Sequence, residues 1–302
     1  MIIQSAFEAP GRWYRGNVHT HSVISDGKRT PAEIVAYYRQ NGYDFVAFTD
    51  HLVWGDHREL SGPDFLVIPG IEIHGDDPES GTYHLVGLGG NWETGEQVEG
   101  LNSLQADIAR LAARQSLVYL AHPYWSGQLS HHFLTVDGVI GLEVYNGTCD
   151  VGYGKGYSNQ TWDDLLTAGR RLWGLAVDDT HWLPWRPDAG QGWIMVKATE
   201  LTMEAILDAL RHGRFYATQG PAIHQVRVEE NEVIISCSPA VLIHGLGQRW
   251  LCNTARSTGG LGLTEARFKL WPGQAYVRAE VVDRAGKRAW SNPIFLDPLI
   301  SE

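Results

Sequence analysis

Cysteine, basic charge and long apolar runs are all scarce in this chain, and each shortage removes a class of protein. Three cysteines, Cys149, Cys237 and Cys252, are too few, too scattered and odd in number for a disulfide framework, and none has CxxC spacing. They read as ordinary thiols. Lysine and arginine total 24 against 35 acidic residues, a formal net charge of −11, which argues against extended nucleic acid as a partner. It does not exclude a small phosphorylated substrate, because bound divalent cations offset negative charge locally. No apolar run approaches the roughly 20 residues of a membrane span, so no membrane partner is expected. Met1 to Ser5 lack the basic and apolar regions of a secretory signal, which makes a cytoplasmic location the default expectation. Internal repeats and low-complexity segments are missing too.

What is present is histidine in regular places. In Asn17-Val18-His19-Thr20-His21 the strand character of Val18 to His21 would put alternate residues on one face, so both imidazoles can aim at one point. Ser25-Asp26-Gly27 then turns the chain and brings a carboxylate near. Thr30-Pro31-Ala32-Glu33 predicts the start of a helix that runs to about Asn41-Gly42. The apolar run Asp44 to Phe48 predicts a buried strand ending in Thr49-Asp50-His51, and Phe65 to Ile73 predicts another with Glu72 between two isoleucines. Tyr83 to Leu88 carries His84, a helix is expected over roughly Asn102 to Arg114, and Leu117 to Ala121 ends in His122-Pro123. Val139 to Val144 includes Glu143, and Tyr145-Asn146 begins a glycine-rich loop to about Ser158. Trp162 to Ala168 reads as a short helix, Leu172 to Val177 as a strand ending in Asp178-Asp179-Thr180-His181, Trp193 to Val196 as a last strand, and Thr202 to Leu210 as a helix.

Strands alternating with helices predict a mostly parallel sheet. Polar residues just past at least five strand ends favour a closed α/β barrel with its site at the top face over a doubly wound sheet, which gathers ligands at one switch point. From Gly220-Pro221 onward the alternation of Ile223 to Glu229, Val233 to Ser238 and Ala275 to Val282 predicts a small antiparallel β unit instead. The expected division is a barrel over 1–220 and a β domain over 221–302.

The strand-end residues His19, His21, Asp26, His51, Glu72, His84, His122, Asp179 and His181 form the candidate metal set. Six histidines and three carboxylates are too many for one ion, so they imply two or three divalent metals, with Glu72 able to bridge. A carboxylate embedded between isoleucines is costly unless a cation or donor pairs with it. Asp50, Asp178 and Glu143 read as hydrogen-bond partners of the ligands, and His74, two residues beyond Glu72 on the same face, could be another.

These motifs resemble the polymerase and histidinol phosphatase (PHP) metal-dependent hydrolases: His19-Thr20-His21-Ser22 with Ser25-Asp26-Gly27, Thr49-Asp50-His51, Gly70-Ile71-Glu72, His84, His122-Pro123 and Asp179-Thr180-His181, over residues 14 to about 220. The resemblance implies a distorted seven-stranded, TIM-like (β/α) barrel holding a trinuclear centre of zinc, manganese or iron. By it His19, His21, Glu72 and Asp179 would bind one metal, Glu72, His84 and His122 a second, and Asp26, His51 and His181 a third. Aspartate at position 26 looks like the branch that cleaves nucleotides and small phosphodiesters. Gly213 to Thr218 and Ala289 to Ile294 look instead like stand-alone members that include carbamate and ester hydrolases.

The expected activity is hydrolysis of a small phosphate mono- or diester, with a metal-bridging hydroxide attacking phosphorus and Glu72, Asp179 and His181 as the catalytic candidates. Candidate phosphate ligands are Arg15, Lys28, Arg58, Lys155 and Arg186. Trp182, with Trp54, Tyr124, Trp125 and Trp185, could stack on a base or aryl group. The same centre could instead hydrolyse a carbamate, amide or aryl ester in an aromatic pocket with few cations, or merely stabilise a binding module.

Overall fold

The computed structural model describes residues 5–296; residues 1–4, which carry most of the N-terminal reading, and 297–302 lie outside it. Strand β1 (Arg12–Asn17) leads through helix α1 (Pro31–Gln40) to β2 (Phe45–Ala47) and β3 (Leu66–Ile68), which pair in parallel. Helix α1 begins where its sequence predicts: the Thr30 hydroxyl accepts from the Glu33 amide, and the Glu33 carboxylate accepts from the Thr30 amide. Beyond Pro69 come β4 (Gly70–Asp77), β5 (Gly81–Leu88), α2 (Leu104–Ala113), β6 (Leu117–Leu120), β7 (Val139–Asn146), α3 (Gly147–Tyr153), α4 (Asn159–Thr167) and β8 (Trp173–Val177). Strand β9 (Trp193–Ala198), helix α5 (Met203–Arg211) and β10 (Phe215–Thr218) follow.

The expected (β/α)7 barrel does not form. Among the described residues the strands fall into sheets of ten, five and three, with five short helices and no closed barrel. Strands β4 and β5 are joined by three residues, too few for a crossover helix, so they pair antiparallel, as do β5 with β6 and β9 with β1. Strands β3 and β4 follow one another through Pro69 but lie in different sheets, β3 at the edge of the ten-stranded one and β4 at the edge of the five-stranded one. Among the described residues isolated bridges link the two halves near the site, Thr20 to Thr180, His51 to Glu72 and Gly55 to Gly70.

Three local expectations change with it. The predicted strand over 65–73 is split at Pro69 into β3 and β4. Strand β1 stops at Asn17, so Val18 to His21 is an extended segment with one bridge rather than part of a strand. The predicted loop after Tyr145 contains helix α3, because the Asn146 side chain accepts from the Cys149 amide at 2.9 Å and caps it.

Between the two main sheets Phe45, Ala47, Tyr119, Leu175, Val177, Ile194 and Val196 form a buried cluster, each such side chain contributing about 1.5–3 kcal/mol by leaving water. Eight more strands complete the chain: β11 (Ile223–Glu229), β12 (Glu232–Ala240), β13 (Leu242–Leu246), β14 (Cys252–Arg256), β15 (Leu263–Lys269), β16 (Tyr276–Val282), β17 (Arg288–Ser291) and β18 (Ile294–Phe295). Strands β11, β12 and β15 make a separate sheet whose Val226, Val233 and Ile235 cluster with Ile243, Val277 and Val281. The ten-stranded ladder runs from β3 through β2, β1, β9, β10 and β17 to β16, so strands on both sides of residue 220 share one sheet.

Candidate metal centre

The centre is built where three extended segments run side by side. The His21 amide donates to the Thr180 carbonyl at 3.0 Å, the Asp179 amide to the His19 carbonyl at 2.9 Å, and the Thr49 amide to the Thr20 carbonyl at 3.0 Å. With backbones tied this way, His19 and His21 point at one spot although neither is in a strand. Asp50 holds the following turn: its carboxylate accepts from the Ser22 amide and hydroxyl, both at 2.8 Å, and from the Ser25 hydroxyl at 2.8 Å. Asp178 accepts from the amides of Gly190, Gln191 and Gly192 and from the Tyr38 hydroxyl. Asp179 and His122 adopt positive φ, 52° and 26°, which costs of order 1–3 kcal/mol each and persists only where the surroundings over-determine it.

All nine candidate ligands come together, in three overlapping groups whose ligating atoms lie within 4.8 Å of one another. One is His19, His21, Glu72 and Asp179; a second is Glu72, His84 and His122; a third is Asp26, His51 and His181 together with His21. Glu72 lies at the middle. Its Oε2 is 3.2 Å from His19 Nε2, 3.3 Å from His21 Nε2 and 3.1 Å from His51 Nδ1, and its Oε1 is 2.8 Å from His84 Nδ1 and 3.1 Å from His122 Nε2. Asp179 Oδ1 is 2.9 Å from His21 Nε2, and Asp26 Oδ2 is 3.3 Å from His181 Nε2.

A divalent cation fits this set. Ligands about 2.0–2.1 Å from one ion sit about 3.0–3.4 Å apart at tetrahedral or octahedral angles, close to the spacings seen here. Glu72 Oε2, His21 Nδ1 and His51 Nδ1 are buried yet have no hydrogen-bond partner, although His51 Nδ1 and Glu72 Oε2 are neighbours. Close polar atoms misaligned for hydrogen bonding are what a shared cation would reconcile. Electrostatics point the same way. Burial would raise the Glu72 carboxyl, but His19, His51, His84 and His122 outweigh it and hold the group well below the usual carboxylate range. Burial likewise opposes charge on His21, yet Asp179 and Glu72 lift it to about 10, whereas burial wins at His51 and takes it down to about 4. The buried carboxylates demand positive charge, which a divalent cation would supply.

Groups other than the nine ligating side-chain ends fix which nitrogen faces inward. Glu143 accepts from His19 Nδ1 at 2.6 Å, which leaves His19 Nε2 with a lone pair, and also accepts from the His122 amide and from Asn146 Nδ2, both at 2.8 Å. The carbonyl of Asp179 accepts from His181 Nδ1 at 2.9 Å and fixes that ring in the same way. Glu143→Gln places an amide NH2 against the His122 and Asn146 donors or breaks the His19 contact. Metal affinity measured by chelator competition should fall about 10–100-fold while the melting profile changes little; an unchanged affinity would remove Glu143 from the centre.

A pocket of about 310 Å³ opens above, walled by Trp125, Thr148, Cys149, Tyr153, Leu183 and Arg186 and floored by Asp26, His51, Glu72, His84, His122, Asp179 and His181. Of the candidate phosphate ligands only Arg186 lines it, 5.2 Å over the Tyr153 ring. The others lie elsewhere. Arg15 stacks between Tyr43 and Trp193, each 3.9 Å away, Arg58 pairs with Asp56 at 2.6 Å, and Lys155 sits over Tyr124. Lys28 contributes a backbone amide to the His181 carbonyl, and its side chain is not in the wall. Trp182 is buried against Tyr37 and Tyr38 on α1. Trp54 is buried in the core and Trp185 is exposed; Trp125 does line the pocket. Sequence reasoning missed Tyr153, Thr148 and Cys149, which reach the pocket only because α3 is a helix; Asn146 ahead of Gly147-Thr148 was the available capping signal.

No known family profile matches the chain. An uncharacterized protein of Methanocaldococcus jannaschii is 33% identical over 79 residues, which is 22% of this chain and only 36% of that protein's length. Among solved structures, a two-domain protein of Bacteroides vulgatus containing a predicted PHP-like metal-dependent phosphoesterase matches with TM-score 0.54 and 18% identity, over 91% of this chain and 93% of that one. An inferred metal-dependent phosphoesterase of Bifidobacterium adolescentis matches more weakly, with TM-score 0.40 and 17% identity over 56% of this chain and 89% of that one. The chain therefore shares its overall fold with that two-domain protein.

Proposed function

We propose that this chain is a metal-dependent hydrolase of small, phosphorylated molecules, cleaving a phosphate mono- or diester that fits beside Trp125 and Tyr153. The observation that carries the reading is the convergence of nine candidate ligands in overlapping groups, two of them sharing Glu72, with seven of the nine forming the floor of a pocket open to solvent. Two or three divalent cations of the zinc, manganese or iron type, held by His19, His21, Asp26, His51, Glu72, His84, His122, Asp179 and His181, would lower the pKa of a water and neutralise ester oxygens.

The chain's own residues do the rest. Glu143 and the Asp179 carbonyl orient His19 and His181, so that both present Nε2 to the centre. Asp179 and His181 line the pocket floor beside the space a substrate would enter, where they would hold cations against the leaving oxygen. Arg186 offers a planar donor fork to a phosphate, and the aromatic rings exclude water from the group it carries. Arg186→Ala should raise KM for a phosphoester about 10–100-fold with kcat within a few-fold, the loss of a charge-assisted hydrogen bond. An unchanged KM would place the phosphate elsewhere.

One observation favours a second reading, hydrolysis of a carbamate, amide or aryl ester. Arg186 is the one lysine or arginine among the described residues in the pocket wall, and Trp125, Tyr153 and Leu183 leave much of it apolar. The test compares nitrophenol release from phosphate mono- and diesters with release from carboxyl esters, using metal-reconstituted protein. Turnover confined to carboxyl esters would overturn the phosphoesterase reading, and no turnover of either would leave a metal-stabilised binding module.

A further inference from the structure

Beside the centre lies a histidine that the nine do not include. His74 follows Glu72 by two residues on β4, so its side chain leaves the same face, and the β4–β5 register sets it directly opposite His84. The His74 and His84 rings stack with centroids 5.1 Å apart, and the His51 ring stands edge-on, 5.2 Å from His74 and 5.8 Å from His84. One ring nitrogen of each falls within 4.8 Å of the other two. His74 Nδ1 is buried without a hydrogen-bond partner, an arrangement that is costly unless something meets it. His74 neither lines the pocket nor contacts a carboxylate that would explain its place.

Packing alone does not call for three converging imidazoles. Aliphatic residues would fill the same space without an orphaned nitrogen, and an imidazole trio is a donor set suited to zinc, cobalt or nickel rather than magnesium or calcium. We propose that His51, His74 and His84 form an additional, outer position for a borderline divalent cation, weaker than the inner groups and competing with them for His51 and His84. This rests on the reading of the nine residues as a metal centre. The outer trio has no carboxylate, so it lacks the Coulombic attraction that Glu72, Asp179 and Asp26 give the inner groups, and its ion is held less tightly. Because His51 and His84 belong also to the inner groups, filling the outer position draws ligands from them, and excess metal perturbs the loaded centre.

The test is equilibrium dialysis of metal-stripped protein against rising free zinc, with bound metal counted per chain for the unaltered protein, His74→Phe and His74→Asp. The unaltered protein should show a late uptake of about one ion, about tenfold or more weaker than the preceding step. His74→Phe should lose only that late uptake, and His74→Asp, which restores a ligating atom, should regain it. Retention of the earlier steps reports that His74→Phe is folded. Superimposable isotherms for the unaltered protein and His74→Phe would overturn the outer position while leaving the inner centre standing; failure of the unaltered protein to take up any ion would sink the metal-centre reading and the outer position with it.

Discussion

Glu72→Gln should lose turnover by about 10³-fold or more and emerge from dialysis depleted of metal, because one carboxylate serves two of the three ligand groups. The substitution keeps volume and one carbonyl oxygen but removes the charge. Five imidazoles, those of His19, His21, His51, His84 and His122, lie within 3.3 Å of a Glu72 oxygen and would face a neutral amide instead. An amide nitrogen cannot accept, so whichever way the side chain turns, at least one side of the cluster meets a donor where it had an acceptor. The stability effect should be visible too, since removing one partner from a buried charged network costs about 3–5 kcal/mol. Metal content after dialysis and turnover of a nitrophenyl phosphate are the two readouts. Full metal content with full turnover would reduce Glu72 to a buried structural carboxylate.

The positions of the site residues were readable in the sequence because the signal is local. A histidine after a buried apolar run, as at His51 and His122, marks a strand end whatever sheet the strand joins, and the two-residue spacings of His19 with His21 and Asp179 with His181 hold in any extended backbone. The closed barrel was inferred from the same strand ends, and that step failed because pairing direction is not local. Nothing in Gly70 to Leu88 announces that β4 folds straight back onto β5, except that no helical stripe separates them and that Asp77, Pro78 and Gly81 crowd the turn. Substrate residues were the least readable. Arginine looks the same in sequence whether it faces a pocket, as Arg186 does, or lies flat between two aromatic rings, as Arg15 does. Trp182 shows the same difficulty: it stands next to His181, yet a left-handed turn at φ 61° sends it into the core against α1.

Arg278→Ala is expected to destabilise the protein by about 3–5 kcal/mol without touching the metal centre. Arg278 on β16 is fully buried, and its guanidinium donates to both oxygens of Asp163 on α4, at 2.7 and 2.8 Å, while resting 4.6 Å over the Trp162 ring. It also lies 3.5 Å from the buried Glu280. The pair thus ties the C-terminal strands to a helix that stands behind β7 and β8, and truncation leaves two carboxylates and a cavity where one cation had been. The loss should grow with pH. Burial holds the Asp163 carboxyl above its ordinary value even with Arg278 beside it, and without Arg278 it rises further. A group whose folded pKa exceeds its unfolded value contributes stability below the unfolded pKa and loses it as pH rises through the folded one. The gap between the two proteins should therefore be smaller near pH 4 than near pH 7. Because the ten-stranded ladder continues from β9 through β10 and β17 to β16, the weakened protein should still melt in one transition, lowered by about 5–10 °C. An early separate transition in Arg278→Ala would mean instead that the strands beyond residue 220 fold independently of the sheet they extend, and that the Arg278–Asp163 pair joins two cooperative units.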